Sequence, residues 1–237
     1  MLDAALNGRD ERGRQWSDAR WGCYAFYDYD GEPIYVGQTN ERLRVRVRRH
    51  LTNQRTDAVA MRILDVFEVA EMELWPLWEL EDVRGQHHPD YAAAQQRLNA
   101  VEYTAYLRAI RESRFKAILN EKIPPVSRAV ELPPSRRFPL IDDDTRRERG
   151  HPDIRIARRA ETISRLAAVA HERGEVSDGL RRVLVIQGVR LAYIAAVRLA
   201  YVEGRPAPDP SAIDVNGLVG SVLFEHTDTP SLFDIDS

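Results

Sequence analysis

The chain has 237 residues, 43% of them hydrophobic and 30% charged, which fits a soluble protein with one ordinary domain and a smaller appendage. No apolar run approaches a membrane span, and the N-terminal MLDAALNGRDERGRQW lacks the apolar centre of a secretory signal, so membrane and secreted classes are set aside. The net charge of −3 by itself says little about partners.

The charge is unevenly spread. Residues 41–62 hold seven arginines against two carboxylates, whereas residues 203–237 hold seven carboxylates against one arginine. A basic strip in an acidic molecule points to a local anion site. Cys23 is the single cysteine, so no disulfide forms within the chain, and a reducing cytoplasmic setting is expected. The six histidines show no zinc spacing.

In chain order, residues 1–20 read as a polar arm or short helix. GCYAFYDYDGEPIYVG follows, two β-rich runs around Asp30-Gly31, the signature of a hairpin. A two-residue turn there makes partner numbers sum to about 61, placing Tyr24 opposite Gly37 and Phe26 opposite Tyr35. Tyr24 and Tyr35 then share one sheet face as diagonal neighbours. Gly37 leaves space beside Tyr24.

ERLRVRVRRHL (41–51) admits two readings. Its alternation suits a strand, but Leu43, Val47 and Leu51 form a stripe at helical spacing behind the polar Thr39, Asn40 and Glu41. The helix is preferred, because it sets Arg46 and His50 side by side. Residues 56–65 read as a further helix capped by Thr56. Phe67–Leu80 reads as a strand pair or one bent strand, with Trp75 and Trp78 as sheet core or a hydrophobic cap, base stacking being left open, and Pro76 against a central position. A charged loop with His87 and His88 precedes a long helix from about Tyr91 to Glu112.

Pro-rich, charged residues 127–152 read as a linker. Residues 154–174 and 177–202 read as two helices of a hairpin, packed on the core or forming a homodimer interface. Residues 204–237 read as an acidic tail. The expected architecture is α/β of the α+β kind: a small antiparallel three-stranded sheet flanked by helices, with a C-terminal helical hairpin over 153–203.

The triplets Gly22-Cys23-Tyr24 and Tyr35-Val36-Gly37, ten residues apart, resemble the paired signature of the GIY-YIG nuclease superfamily. Cys replaces Ile in the first and Val replaces Ile in the second. Arg46 with His50 matches the arginine and histidine that the family carries on the next helix. Glu102 matches its later glutamate and Asn120 its closing asparagine. Arg44 is a rival to Arg46, since the family arginine lies one residue nearer the second glycine; Arg46 keeps the four-residue step to His50. The resemblance covers residues 21–126.

It implies a metal-dependent DNA endonuclease of the stand-alone type found in restriction or phage defence. Glu102 would hold Mg²⁺ or Mn²⁺, since a hard cation of this kind needs only one or two protein carboxylates. Arg46 would fork onto the scissile phosphate. A tyrosine would take the proton from the attacking water; the resemblance leaves open which one, with Tyr24 favoured and Tyr35 assigned to phosphate or bound water. His50 would relay a proton or hold phosphate, and Asn120 would position the glutamate or its surroundings. Gly37, Arg42, Arg44 and Arg49 complete a phosphate-binding set. The alternative is a nucleic-acid-binding module that keeps the fold and has lost turnover. DNA is the expected partner. The terminal TPSLFD loosely resembles sliding-clamp-binding peptides but lacks their leading glutamine.

Overall fold

The computed structural model describes residues 1–52, 64–174 and 176–224. Four antiparallel strands form one sheet: β1 (Gly22–Tyr27), β2 (Pro33–Thr39), β3 (Glu71–Pro76) and β4 (Arg136–Pro139), in the order β2-β1-β3-β4. The three strands expected become four. Arg136–Pro139 joins β3, with Met72 opposite Phe138, so the Pro-rich stretch over 127–152 carries sheet as well as the short helix Asp143–Arg149. The fourth strand is a short edge strand, and of its residues only Phe138 is buried.

Tyr24 pairs with Gly37 and Phe26 with Tyr35, the register that the hairpin spacing implies. The register then shifts, and Tyr27 meets Pro33. The turn is wider than two residues. Asp28 N–H donates to the Glu32 carbonyl at 2.9 Å, and the Asp28 carboxylate accepts from the Asp30 and Glu32 N–H groups at 2.9 and 3.2 Å. Gly31 takes the positive φ of 72° that this loop requires.

Seven helices accompany the sheet among the described residues: α1 (Leu2–Leu6), α2 (Leu43–Leu51), α3 (Tyr91–Glu112), α4 (Asp143–Arg149), α5 (Pro152–Arg173), α6 (Asp178–Val202) and α7 (Val215–Val219). The arginine-rich segment is therefore a helix. Leu43 and Val47 are buried from water, while Val45, which only the strand reading would bury, is exposed. The helix expected over 56–65 lies mostly outside the described residues, as does TPSLFD.

Alternation gives the sheet two differently used faces. Tyr24, Phe26 and Tyr35 meet His50 of α2 in ring contacts 5.2–6.0 Å between centroids. On the other face Cys23 lies against the Leu98 carbonyl of α3, and Gln38 donates to Asn99 of α3 at 3.1 Å. Ala94, Leu98, Val101, Ala105 and Ala109 supply the buried stripe of α3.

Both ends of the described residues are packed on this core. Leu6 and Ala19 are buried, and Ser17 donates to the Leu6 carbonyl at 2.6 Å. At the other end, Tyr106 and Tyr103 of α3 donate to the carbonyls of Val222 and Leu223. Helices α5 and α6 pack together, and α5 grips the tip of the first hairpin. Arg155, Arg158 and Arg159 share one helical face by their spacing. Arg155 reaches Asp28 at 3.0 Å, Asp30 at 2.7 Å and Glu68 at 3.3 Å; Arg159 reaches Asp28 and Glu68 at 3.0 Å each. Helix α6 is long and apolar enough by length and composition to cross a membrane, but it includes Arg181, Arg182, Arg190 and Arg198 and packs against α5. It leaves Leu199, Tyr201 and Val202 exposed at its end.

Candidate active site

Tyr24 stands at the centre of the site. Its side chain is wholly buried, and its hydroxyl lies 3.4 Å from His50 Nε2. The phenol is also hydrogen-bonded to Arg46. The Tyr24 and Tyr35 rings lie 6.2 Å apart, tilted by 34°. Tyr35 is partly exposed, whereas His50 is buried against both tyrosines.

Gly37 makes this arrangement possible. A Cβ at that position would sit 2.7 Å from Tyr24 Oη and 2.9 Å from Tyr35 Cε1. Any side chain there would push both phenols apart. Its structural contribution is room for the rings.

Arg46 comes from the third residue after Leu43 and is partly buried. Burial works against its charge, but Tyr24, then Tyr35 and Glu41, outweigh that and hold its pKa above the ordinary arginine value. Its Nε is buried with no hydrogen-bond partner among the described residues. An unfilled guanidinium donor in a buried place is a ready receptor for an anionic oxygen.

Glu102 enters from α3, on the other side of the sheet. It is 8% exposed, and among the described residues no hydrogen bond or ion pair is made by its carboxylate. Burial pushes its pKa up to about 7, against the pull of the Arg46 charge. The Glu102 charge is also felt by Cys23, whose thiol is driven up first by burial and then by that carboxylate. The Arg46 charge, beside the end of β2, thus reaches the Glu102 carboxylate. A cleft of about 220 Å³ opens there, lined by Gln38, Thr39, Asn40, Glu41, Arg46, Gln95 and Leu98.

Asn120 does not touch Glu102. Its Oδ1 accepts from Val36 N–H at 3.0 Å and its Nδ2 donates to the Val36 carbonyl at 2.7 Å. It completes the open edge of β2 between Tyr35 and Gly37. The other arginines diverge. Arg44 turns to the N-terminal segment, pairing with Asp18 at 3.2 Å and donating to Asn7 Oδ1 at 3.1 Å. Arg49 forks onto Glu41 at 2.8 and 3.2 Å, which lowers the Glu41 pKa. Arg42 is the exposed residue that precedes α2.

Residues 20–80 match the family model of the GIY-YIG catalytic domain. This domain belongs to the GIY-YIG nuclease superfamily. The match contains both tyrosines, Arg46 and His50, and ends before Glu102 and Asn120. No curated protein and no solved structure matches the chain.

Sequence reasoning missed the carboxamides of the GIY-YIG cleft. Asn99 Oδ1 accepts from Gln95 at 2.9 Å and from Gln38 at 3.1 Å. Gln95 and Asn99 are one helical turn apart, a signal that was present but needed β2 to give it a partner. Glu41, read as helix-start polarity, also lines the cleft.

A divalent cation would find limited but suitable chemistry. Among the described residues there is no group of three or more His, Cys, Asp or Glu side chains that would enclose a metal. The unpaired Glu102 carboxylate is a hard oxygen donor, and Mg²⁺ retains waters and takes substrate phosphate as ligands. The donor set fits a cation held by one protein carboxylate and completed by water and phosphate.

Proposed function

We propose that the chain is a metal-dependent DNA endonuclease acting in restriction or phage defence. The observation that carries the reading is the meeting of Tyr24, His50 and Arg46 at one place, with the Arg46 charge felt by the buried Glu102 carboxylate on the other face of the sheet. We take residues 21–126 as the catalytic unit, since Glu102 and Asn120 lie beyond the family match.

Glu102 is the residue that would hold Mg²⁺ or Mn²⁺. Such a cation supplies charge neutralisation at phosphorus and help for the leaving oxygen. Arg46 offers its free Nε to a non-bridging phosphate oxygen. Tyr24 accepts the proton of the attacking water. An ordinary phenol titrates near 10, too high for that task at neutral pH, and the Arg46 guanidinium beside it favours the phenolate. His50, 3.4 Å away, takes the proton onward. Tyr35 presents a partly exposed ring at the same place and is assigned to phosphate. Asn120 is a positioning residue, which acts through the β2 backbone. Arg42 extends phosphate contact outward, whereas Arg49 is available only when it leaves Glu41.

One observation favours the second reading, a binding module without turnover: Tyr24 has no exposed surface. Nicking of supercoiled plasmid in Mg²⁺ or Mn²⁺ decides between them. The nuclease reading expects nicking by the wild-type chain and none by Glu102→Ala with an unchanged circular dichroism spectrum. DNA binding without any nicking would establish the module instead.

A further inference from the structure

A second cavity lies at the tip of the first hairpin, beside Asp28, Asp30 and Glu32. It measures about 320 Å³, within the range of small-ligand sites, and sits between the first hairpin and the C-terminal helices. Its lining combines charged and apolar chemistry. The lining holds Arg114, Arg155, Arg159 and Arg190 together with Asp28, Asp30 and Glu32, and beside them the apolar Phe115, Tyr193, Ile194 and Val197.

The charges do not balance. Four guanidinium groups face three carboxylates, leaving one positive charge in excess. Including the neighbours Arg158 and Glu68 keeps the excess at one. The excess is concentrated in a dry place. Arg190 is 1% exposed and reaches Glu32 only at 3.4 Å, its better bonds going to the carbonyls of Pro33 and Ala117 at 2.9 and 3.2 Å. Its Nε and Nη1, and the Nε of Arg159, have no hydrogen-bond partner among the described residues. Glu32 is also shared with Ser113 and Arg114. The ring of Phe115, 5.2 Å from the Arg190 guanidinium, compensates in part. Burial pulls the Arg190 pKa down to about 10, the response of an incompletely neutralised cation.

We infer that this cavity binds a small organic monoanion, its charged head among Arg114, Arg155, Arg159 and Arg190 and its apolar body against Tyr193, Ile194 and Val197. The single excess charge sets the class. A carboxylate or a phosphodiester brings one negative charge and neutralises the wall, whereas a dianion would leave the adjoining carboxylates opposed. The apolar half requires a body, so an inorganic ion uses only part of the site. Arg114 and Asp30 are the more exposed members and form the mouth, with side chains 34% and 49% exposed. A ligand here would join the hairpin that carries Tyr24 and Tyr35 to helix α6.

Isothermal titration and thermal shift on the full chain test this with four probes: benzoate, a cyclic mononucleotide, the matching neutral nucleoside, and inorganic phosphate. The expected result is saturable binding of benzoate or of the cyclic mononucleotide, which distinguishes carboxylate from phosphodiester, with at least about tenfold weaker binding of the nucleoside. Val197→Trp, which fills the apolar half, should abolish that binding without changing the circular dichroism spectrum. Arg114→Gln, at the mouth, should weaken it about tenfold. Absence of binding by both monoanions overturns the inference. So does equal binding of the nucleoside, binding of inorganic phosphate alone, or retention of full affinity by a folded Val197→Trp protein.

Discussion

Asn120 spends both halves of its carboxamide on one residue, accepting from the Val36 N–H and donating to the Val36 carbonyl. This is the pairing that another strand would make with an edge. Val36 lies between Tyr35 and Gly37, so the bond pair fixes the backbone from which the second phenol projects. Asn120→Ala leaves two buried backbone groups unpaired and should cost about 2–4 kcal/mol in urea unfolding. Asn120→Asp keeps the acceptor and loses the donor, so it should fall between the two. Equal stability of all three proteins would remove Asn120 from this role.

Glu102 makes stability depend on pH in a defined direction. Its folded pKa is raised to about 7 by burial, so the native state keeps a proton that the unfolded state has lost. The native state therefore binds more protons between about pH 4.5 and 7, and stability falls across that window by about 3 kcal/mol, then levels off. Glu102→Gln should flatten this slope. In the proposed metal role Mg²⁺ would bind the ionised carboxylate, and it should then raise the wild-type Tm most above pH 7, with no such effect in Glu102→Gln. Thermal melts from pH 4.5 to 8.5, with and without Mg²⁺, read both effects.

Arg44 and Arg46 are separated by one residue and should behave differently. Arg46→Ala removes the guanidinium beside Tyr24, and should lower plasmid nicking by about a hundredfold or more. Arg44→Ala loses a half-exposed pair with Asp18, worth under about 1 kcal/mol, and should leave the nicking rate within a few-fold. The reverse order of effects would exchange their roles.

The two tyrosines should separate under single-turnover conditions. Tyr24→Phe deletes the hydroxyl that touches Arg46 and His50, so the chemical step should slow by about a hundredfold with little change in DNA affinity. Tyr35→Phe should weaken DNA binding more than it slows the step. A pre-steady-state time course over a range of DNA concentrations distinguishes the two.

The contacts of α5 with the hairpin tip should be essential for folding. Arg155 is 3% exposed and bonds three carboxylates. Arg155→Ala removes one of the buried guanidinium groups that neutralise Asp28 and Glu68, leaving Arg159 shared between them, and should cost about 3 kcal/mol, measured by chemical denaturation. Arg165→Ala, on an exposed part of the same helix, should cost under about 0.5 kcal/mol.

Local patterns made much of the fold legible. The hairpin register followed from Asp30-Gly31, and α2 followed from Leu43, Val47 and Leu51, whose period of four outweighs the alternation of arginines once the sheet buries that stripe. The long helix was legible from its own periodicity. Arg136–Pro139 was not, because an edge strand with a single buried residue has no pattern, and its flanking prolines resemble a linker. The Arg155 and Arg159 contacts join positions more than 120 apart, and no local rule ties an arginine on one helix to Asp28. Asn120 was visible as a residue type in a resemblance, but its bond to Val36 depends on the chain returning to the β2 edge.

The grip of α5 on the hairpin also sets an order of events during synthesis. Asp28 and Glu68 emerge from the ribosome about ninety to a hundred and thirty residues before the arginines that neutralise them. Until then the tip of the first hairpin carries its negative charges facing solvent, and the nascent sheet also lacks the strand that borders β3. The phenol-bearing hairpin is thus completed by the late-emerging part of the chain, a closure over long sequence distance that slows folding relative to a locally wired domain of equal size.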